Sequence, residues 1–288
     1  QDTQECFNQL SKAKAEAKDP SVEVEKLLLE MAVQLERPTF QARHLKTLSE
    51  IDPANQDEYL QQWAEVRFLL GFEDEAIRTL KKLAAKPDAS LGTLKTLAKS
   101  YQRLSSNQRQ IDVWRDAYRR SNLFEKRQII KQLTTALVGQ RMPEEALKVQ
   151  FNLIQRDTDP IQKRKQFDTQ LTLAQRHFLL PWLREKYEEL TRAKPFDRFF
   201  PEALAKIHRA AGNEDLAFEA MKKAYYMSGH DRDLLIQLGE MAGNSDDLKA
   251  AIYYRRQLIA HSEEDASIES WKSLITMLEK DLRLKEAD

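Results

Sequence analysis

The stretch VRFLLGFEDEAIRTLKKLAAKPD, residues 66–88, decides the fold. Apolar residues at helical spacing run up to Leu70, and Gly71 then ends this first helix as a C-terminal cap. Acidic residues 73–75 suit the start of a second helix, where the helix dipole favours negative charge. Three apolar residues share one face of that second helix, which ends before Pro87. The stretch therefore predicts a helix–turn–helix hairpin.

The same arrangement recurs along the chain. It is clear in residues 204–226 and 238–259, and weaker in residues 97–118 and 133–154. Small or near-neutral residues recur 34 to 37 residues apart at Cys6, Gln41, Ala76, Gln110, Ala146, Leu183, Ala217, Ala251 and Ala287. A period in this range indicates a solenoid of helix pairs, because each unit is too small to bury its own apolar face and must stack on its neighbours.

These hairpins resemble the tetratricopeptide repeat, and the resemblance covers nearly the whole chain. It implies an all-α fold, a right-handed α-solenoid of stacked antiparallel helix hairpins. The match is weakest at residues 161–197, where Leu183 and Tyr187 replace small residues. The predicted units are a capping or partial-repeat helix (1–21), seven hairpins (22–56, 57–90, 91–126, 127–160, 161–197, 198–231 and 232–267) and a partial repeat (268–288).

Both ends of the chain look cut inside a repeat, so we expect a segment of a longer array. Cys6, Leu10 and Ala13 occupy the inward positions of a second helix. Trp114 and Trp271 are expected to pack between helices. The chain starts at Gln1, which allows for a removed signal peptide. The compartment stays open, with a periplasmic or secreted bacterial protein slightly favoured over a cytoplasmic one.

Composition limits the classes of function. The 288 residues include 46 basic and 46 acidic side chains, so the overall charge does not favour nucleic acid. Local charge is uneven, because residues 91–131 hold ten Lys or Arg and three acids, whereas residues 231–288 hold thirteen acids and eight bases. No apolar run of 18 or more residues is present, so no membrane-inserted helix is expected.

The sequence carries no motif for catalysis. It lacks the glycine-rich phosphate loops, the His-Glu-x-x-His zinc motif and the Gly-x-Ser-x-Gly nucleophile motif. The five histidines, His44, His177, His208, His230 and His261, are too far apart for a metal pair on one helical turn. His208 takes an inward position and is interpreted as a hydrogen-bonded core residue. We therefore expect no catalytic residues, no cofactor and no metal.

The predicted binding surface lies on the outward side of the first helices of the hairpins. Lys95, Lys99 and Arg103 fall at i, i+4 and i+8, which places them in one basic stripe. In residues 58–69, Phe68 is also placed on the outward side of the first helix. The full candidate set is Lys95, Lys99, Gln102, Arg103, Gln128, Lys131, Gln132, Lys165 and Arg176. Such a groove suits a protein partner or an acidic extended peptide. The alternative is a solvated charged face.

Three functions are open at this point. The first is a non-catalytic scaffold that binds a protein or peptide on its concave face. The second is an accessory module of a bacterial envelope or polysaccharide export system, although exposed aromatic residues for sugar stacking are scarce. The third is an RNA-binding helical-repeat protein, against which the zero net charge counts.

Overall fold

The chain is almost entirely helical. The computed structural model describes residues 2–16, 21–229, 231–244, 247–260 and 268–287. Within these ranges it forms sixteen α-helices, a short 3-10 helix (Pro53–Asn55) and no β-strand. The helices are α1 (Asp2–Glu16), α2 (Val22–Gln34), α3 (Pro38–Ile51), α4 (Gln56–Leu69), α5 (Glu73–Ala84), α6 (Leu91–Arg103), α7 (Asn107–Arg120), α8 (Leu123–Gly139), α9 (Pro143–Arg156), α10 (Pro160–Arg176), α11 (Leu180–Ala193), α12 (Phe199–Ala210), α13 (Glu214–Met227), α14 (Arg232–Asn244), α15 (Leu248–Ala260) and α16 (Ile268–Ala287).

Consecutive helices form hairpins within two compact units, Gln1–Met142 and Pro143–Asp288. In the first unit α2 packs on α3, α4 on α5 and α6 on α7. In the second unit α10 packs on α11, α12 on α13 and α14 on α15. Short turns join these helices, so neighbours run in opposite directions. The predicted all-α fold of helix hairpins and the resemblance to the tetratricopeptide repeat are confirmed at the level of fold. The helices of predicted hairpin 127–160, α8 and α9, belong to different units.

A left-handed residue recurs in the turn that follows six of the helices, α2, α4, α6, α8, α10 and α12. These residues are Glu36, Gly71, Ser105, Arg141, Phe178 and Gly212, with φ between 50° and 85°. In each turn the next residue donates its N–H to the carbonyl five residues before it, at 2.8–3.0 Å. This is the Schellman bond that closes a helix C-terminus. The turn conformation thus repeats along the chain even where glycine does not.

Glycine in place of Ser105 is expected to raise the free energy of unfolding by about 0.5–1 kcal/mol. The left-handed conformation costs a residue with a Cβ about 1–2 kcal/mol, and the flexibility of glycine in the unfolded chain offsets part of that gain. The matched control is Ser100→Gly inside α6, which should destabilise by about 0.5–1 kcal/mol. Urea denaturation compares the two variants, and equal destabilisation would contradict the prediction.

The small residues of the repeat fill the closest contacts between helices. Ala76, Ala146, Ala217 and Ala251 are fully buried, as is Leu183, and Gln110 is 8% exposed. Of the predicted inward residues of α1, Leu10 packs against the buried core as expected, whereas Cys6 and Ala13 are exposed and Phe7 is buried instead. The ring of Phe7 packs edge-on against Phe40, with centroids 5.4 Å apart. A large aromatic ring gains more from burial than a thiol or a methyl group does. The side chain of Ala287 lies outside the described residues.

The hairpin of α10 and α11, which resembles the tetratricopeptide repeat least, shows how small residues determine the distance between two helices. Leu183 and Tyr187 of α11 are fully buried, and α10 and α11 approach each other less closely than α12 and α13. The Tyr187 hydroxyl donates to Gln170 Oε1 at 2.9 Å, and Gln170 Nε2 donates to the Leu147 carbonyl at 3.1 Å. Burial raises the pKa of Tyr187 well above its usual value, so the hydroxyl stays protonated. Larger side chains thus widen the hairpin and fill the space with a satisfied polar network.

An aromatic cluster forms the core around α10–α12. Phe167, Tyr187, Phe199 and Phe200 are buried, with neighbouring ring centroids 5.1–6.4 Å apart and mostly edge-to-face. This geometry is favourable for aromatic pairs beyond the area they bury. A second cluster joins α12–α15 through Met221, Leu238 and Tyr254.

A buried charged cluster ties α1, α2 and α3 together. Glu25 of α2 is fully buried, lies within ion-pair distance of Lys14 of α1 and contacts His44 Nδ1 of α3 at 2.8 Å. Burial lowers the pKa of His44, although Glu25 opposes the shift, so the ring is neutral at pH 7 and donates from Nδ1. In this tautomer Nε2 is an acceptor, and it has no hydrogen-bond donor among the described residues.

Candidate peptide-binding surface

Four of the predicted binding residues line one side of α6. Lys99, Gln102 and Arg103 are exposed, and Lys95 is partly exposed. Residues four apart on a helix share a face, which aligns Lys95, Lys99 and Arg103 along the axis. Leu94, Leu97, Ala98 and Tyr101 are buried on the opposite side. The helix therefore presents its basic stripe to solvent because its apolar residues are fixed in the core.

Polar contacts from α4 fix the start of α6. The Ser90 hydroxyl accepts from the Thr93 N–H at 3.0 Å and so caps the helix. The Thr93 hydroxyl donates to Gln61 Oε1 at 3.1 Å, and a Cβ on Gly92 would lie only 3.1 Å from that same oxygen. One turn further on, the Thr96 hydroxyl donates to Glu65 Oε1 at 2.6 Å. These contacts hold α6 against α4 without using any lysine of the stripe.

The neighbouring helix α8 adds the next predicted residues. Gln128, Lys131 and Gln132 are exposed, and Lys95 Nζ of α6 donates to Gln128 Oε1 at 3.3 Å. A capping box at Asn122 and Glu125 begins α8, with both reciprocal hydrogen bonds at 3.0 Å. The structure therefore brings the α6 and α8 residues of the candidate set together on one surface.

Phe68 departs from the sequence-based expectation that it faces outward. It is 8% exposed, and the Arg103 guanidinium lies over its ring, 5.7 Å from the centroid. A cation over an aromatic face is attracted by the ring quadrupole, and the alkyl stem of arginine covers apolar surface. Arg103 is thus engaged with α4 and is less available to a partner than Lys99.

Two lysines on this surface, Lys99 and Lys131, have no polar side-chain partner among the described residues, whereas Lys95 donates to Gln128. Among the described residues, Lys99 and Lys131 have no carboxylate within ion-pair distance. They lie one turn beyond Lys95 and Gln128 on their respective helices, so they continue the same facing rows. Charges of one sign on neighbouring helices raise the local potential, which an anionic group would lower.

The remaining two candidates lie in the second unit. Lys165 and Arg176 are exposed on α10. On the same helix Asp168 accepts from Lys206 Nζ of α12 at 2.9 Å, and Arg164 pairs with Glu202 at 3.0 Å. The basic residues of α10 are therefore interleaved with ion pairs, and they belong to a different unit from α6 and α8.

The described histidines, His44, His177 and His208, belong to no candidate metal cluster. In the described part of the chain no group of three or more His, Cys, Asp or Glu side chains could hold a metal ion. His208 is buried as predicted, and burial lowers its pKa, but the expected hydrogen bond is missing because Nδ1 has no partner among the described residues. His230 and His261 lie outside the described residues.

The two tryptophans expected to pack between helices differ. Trp114 is 3% exposed and confirms the expectation, whereas Trp271 is 49% exposed and contradicts it. On α16 only one side packs against α15, so Leu274 is buried and Trp271 lies off that contact. No described helix is both long enough and apolar enough to cross a membrane.

Among known proteins, this chain is similar to solved structures at low sequence identity. No protein-family model matches the chain, and neither does any curated protein. A solved tetratricopeptide repeat protein from Parabacteroides merdae is similar at 13% identity, covering 89% of this chain and 98% of its own, with a TM-score of 0.43. YrrB, described as a tetratricopeptide repeat protein with an unusual peptide-binding site, is similar at 14% identity, covering 68% and 98%, with a TM-score of 0.35. MamA is similar at 15% identity, covering 72% and 92%, with a TM-score of 0.37. Nothing about the partners of this chain follows from them.

Proposed function

We propose that this chain is a non-catalytic scaffold that binds an extended acidic peptide across the exposed side of α6 and α8. The observation that carries the proposal is the pair Lys99 and Lys131, both exposed and without a carboxylate partner among the described residues. Each ammonium group can donate charge-assisted hydrogen bonds to a carboxylate.

The positions of α6 and α8 support the proposal, because both helices are held in place before a peptide binds. Lys95 and Gln128 join the two helices beside the proposed site, and Gln132 offers both a donor and an acceptor to a peptide backbone. The helices are held by their buried faces, so few side chains need ordering when a peptide binds. Glu65 on α4 would repel an acidic ligand, which places the peptide on the α8 side of the stripe.

Charge reversal of the two lysines is expected to weaken binding of an acidic peptide by at least about tenfold. The probe is a fluorescein-labelled hexaglutamate peptide, with hexaglutamine as the uncharged comparison, and fluorescence anisotropy gives the dissociation constant. The double variant Lys99→Glu with Lys131→Glu removes two charge-assisted contacts, each worth more than a tenfold factor when desolvated.

The matched control places the same charge change on a second helix of the same unit. Lys81 and Lys82 of α5 are exposed, and their double change to glutamate should alter the affinity by less than about twofold, since distant surface charges are screened. Equal weakening in both double variants would show non-specific attraction and contradict the proposal. Equal binding of the glutamate and glutamine peptides would do the same.

A further inference from the structure

An open cavity of about 580 Å³ lies in the second unit, at the ends of helices rather than along α6 and α8. The C-terminus of α9, the N-terminus of α10 and the connection between α11 and α12 form its walls. Its volume lies within the roughly 300–1,000 Å³ typical of ligand pockets. It is therefore large enough to accept a few side chains of a partner.

Two of the charged side chains that line the cavity, Lys163 and Asp157, are buried and have partners. Lys163 is 8% exposed, and its Nζ pairs with Asp197 at 2.8 Å and lies 4.4 Å from the ring centroid of Phe199. Asp157, 4% exposed, accepts from Gln166 Nε2 at 2.9 Å. Buried charges held by partners on several elements do not need to reorganise when a ligand arrives.

Four further basic side chains line the cavity, and two of them form no ion pair within the part of the chain that the structure describes. Arg164 and Arg198 also line the cavity, but they pair with Glu202 and Asp231, at 3.0 and 2.8 Å. Arg156 and Lys194 line it as well, and neither has a carboxylate within ion-pair distance in the part of the chain that the structure describes. These two exposed residues can take up to two carboxylates from a ligand.

An exposed aromatic ring stands beside these cations. Phe196 lines the cavity and is 96% exposed. A fully solvated phenyl ring gains free energy when a ligand covers it, and aromatic or apolar groups do so best. The cavity thus combines carboxylate-binding groups with an apolar contact.

We infer that this cavity is a second docking site, which binds a short acidic peptide segment carrying an aromatic residue. The wall argues against a phosphate ligand. The Asp159 carboxylate already accepts the Ile161 and Gln162 N–H groups at the start of α10, where a phosphate would otherwise bind. Asp157 and Asp197 would repel a phosphate dianion more strongly than a singly charged carboxylate at Arg156 or Lys194, and they can accept N–H groups from a peptide backbone. The site is separate from α6 and α8, so either proposal can fail without the other.

The test is an array of acidic hexapeptides, each with one phenylalanine at a varied position, followed by anisotropy with the strongest binder. The double variant Arg156→Glu with Lys194→Glu should weaken that binder about tenfold or more, and Phe196→Ala should weaken it by about threefold to tenfold. Neither substitution touches the core, since all three side chains are exposed.

Matched controls come from the same unit. Lys148→Glu with Lys223→Glu repeats the charge change on exposed helix positions, and Phe178→Ala removes an equally solvated ring, 90% exposed. Both should change the affinity by less than about twofold. When the phenylalanine of the peptide is replaced by alanine, Phe196→Ala should no longer weaken binding. That result would support a contact between the two rings.

Three outcomes would overturn the inference. In the first, no array peptide depends on Arg156 and Lys194. In the second, a hexapeptide with its acids replaced by amides binds equally well. In the third, tripolyphosphate or a short oligouridylate binds more tightly than the peptide and is weakened by the same variant, which would make the cavity an anion or nucleic-acid site. A charge reversal on α6 and α8 should leave this binding intact.

Discussion

Replacing Phe167 by alanine is expected to lower the free energy of unfolding of the second unit by about 3–5 kcal/mol. Phe167 is 1% exposed, and its ring centroid lies 5.1 Å from Tyr187 and 5.9 Å from Phe199. The substitution removes the buried area of the ring, leaves a cavity and breaks two edge-to-face contacts. The surrounding rings are themselves packed, so the structure can collapse only partly into the space.

The measurement must resolve a local loss of stability, because helical-repeat proteins need not unfold in one step. Urea denaturation followed by circular dichroism gives the overall effect, and hydrogen exchange should locate it in α10, α11 and α12. The matched control is Phe178→Ala at the turn after α10, where the ring is 90% exposed and the expected change is within about 0.5 kcal/mol. Similar losses in both variants would mean that the aromatic cluster contributes little.

The hairpin architecture could be predicted from the sequence because its two determinants are local. Helical periodicity marks the helices, and small residues such as Ala217 and Ala251 mark the close contacts, which the structure confirms as fully buried. The positions of the turns could be predicted only in part from the sequence. Gly71 and Gly212 are recognisable, but Arg141 and Phe178 adopt the same left-handed conformation without a glycine to mark it. The Schellman bonds that offset their strain depend on the whole turn, and a spacing of 34 to 37 residues from a known turn is the signal that could have located them.

The candidate surface could be predicted less completely. Helical spacing placed Lys99 and Lys131 on exposed faces, because that property follows from the periodicity of one helix. The burial of Phe68 under Arg103 could not be predicted, since it depends on contact between helices about 35 residues apart in the chain. The cavity beside Phe196 was missed for the same reason: its walls come from two connections that no motif links.

Removing the Glu25 carboxylate by substitution with alanine is expected to cost about 3 kcal/mol of local stability at the start of the chain. Glu25 is fully buried between Lys14 and His44, so the substitution leaves a cationic and a polar group without their shared partner. Breaking a buried ion pair costs about 3–5 kcal/mol. The value falls at the low end because Lys14 is 27% exposed and can turn towards water, whereas the Nδ1–H of His44 stays buried.

The loss should appear as faster hydrogen exchange in α1, α2 and α3, with α10–α12 unchanged, since neighbouring hairpins supply most of the contacts in a repeat fold. Glu30→Ala is the matched control, because it makes the same change on the same helix at an exposed position and should have an effect within about 0.5 kcal/mol. Equal exchange in the two variants would contradict the argument. A larger effect of Glu25→Ala confined to α1 would show that Lys14 anchors that helix, and an effect extending to α3 would show that the carboxylate chiefly satisfies His44.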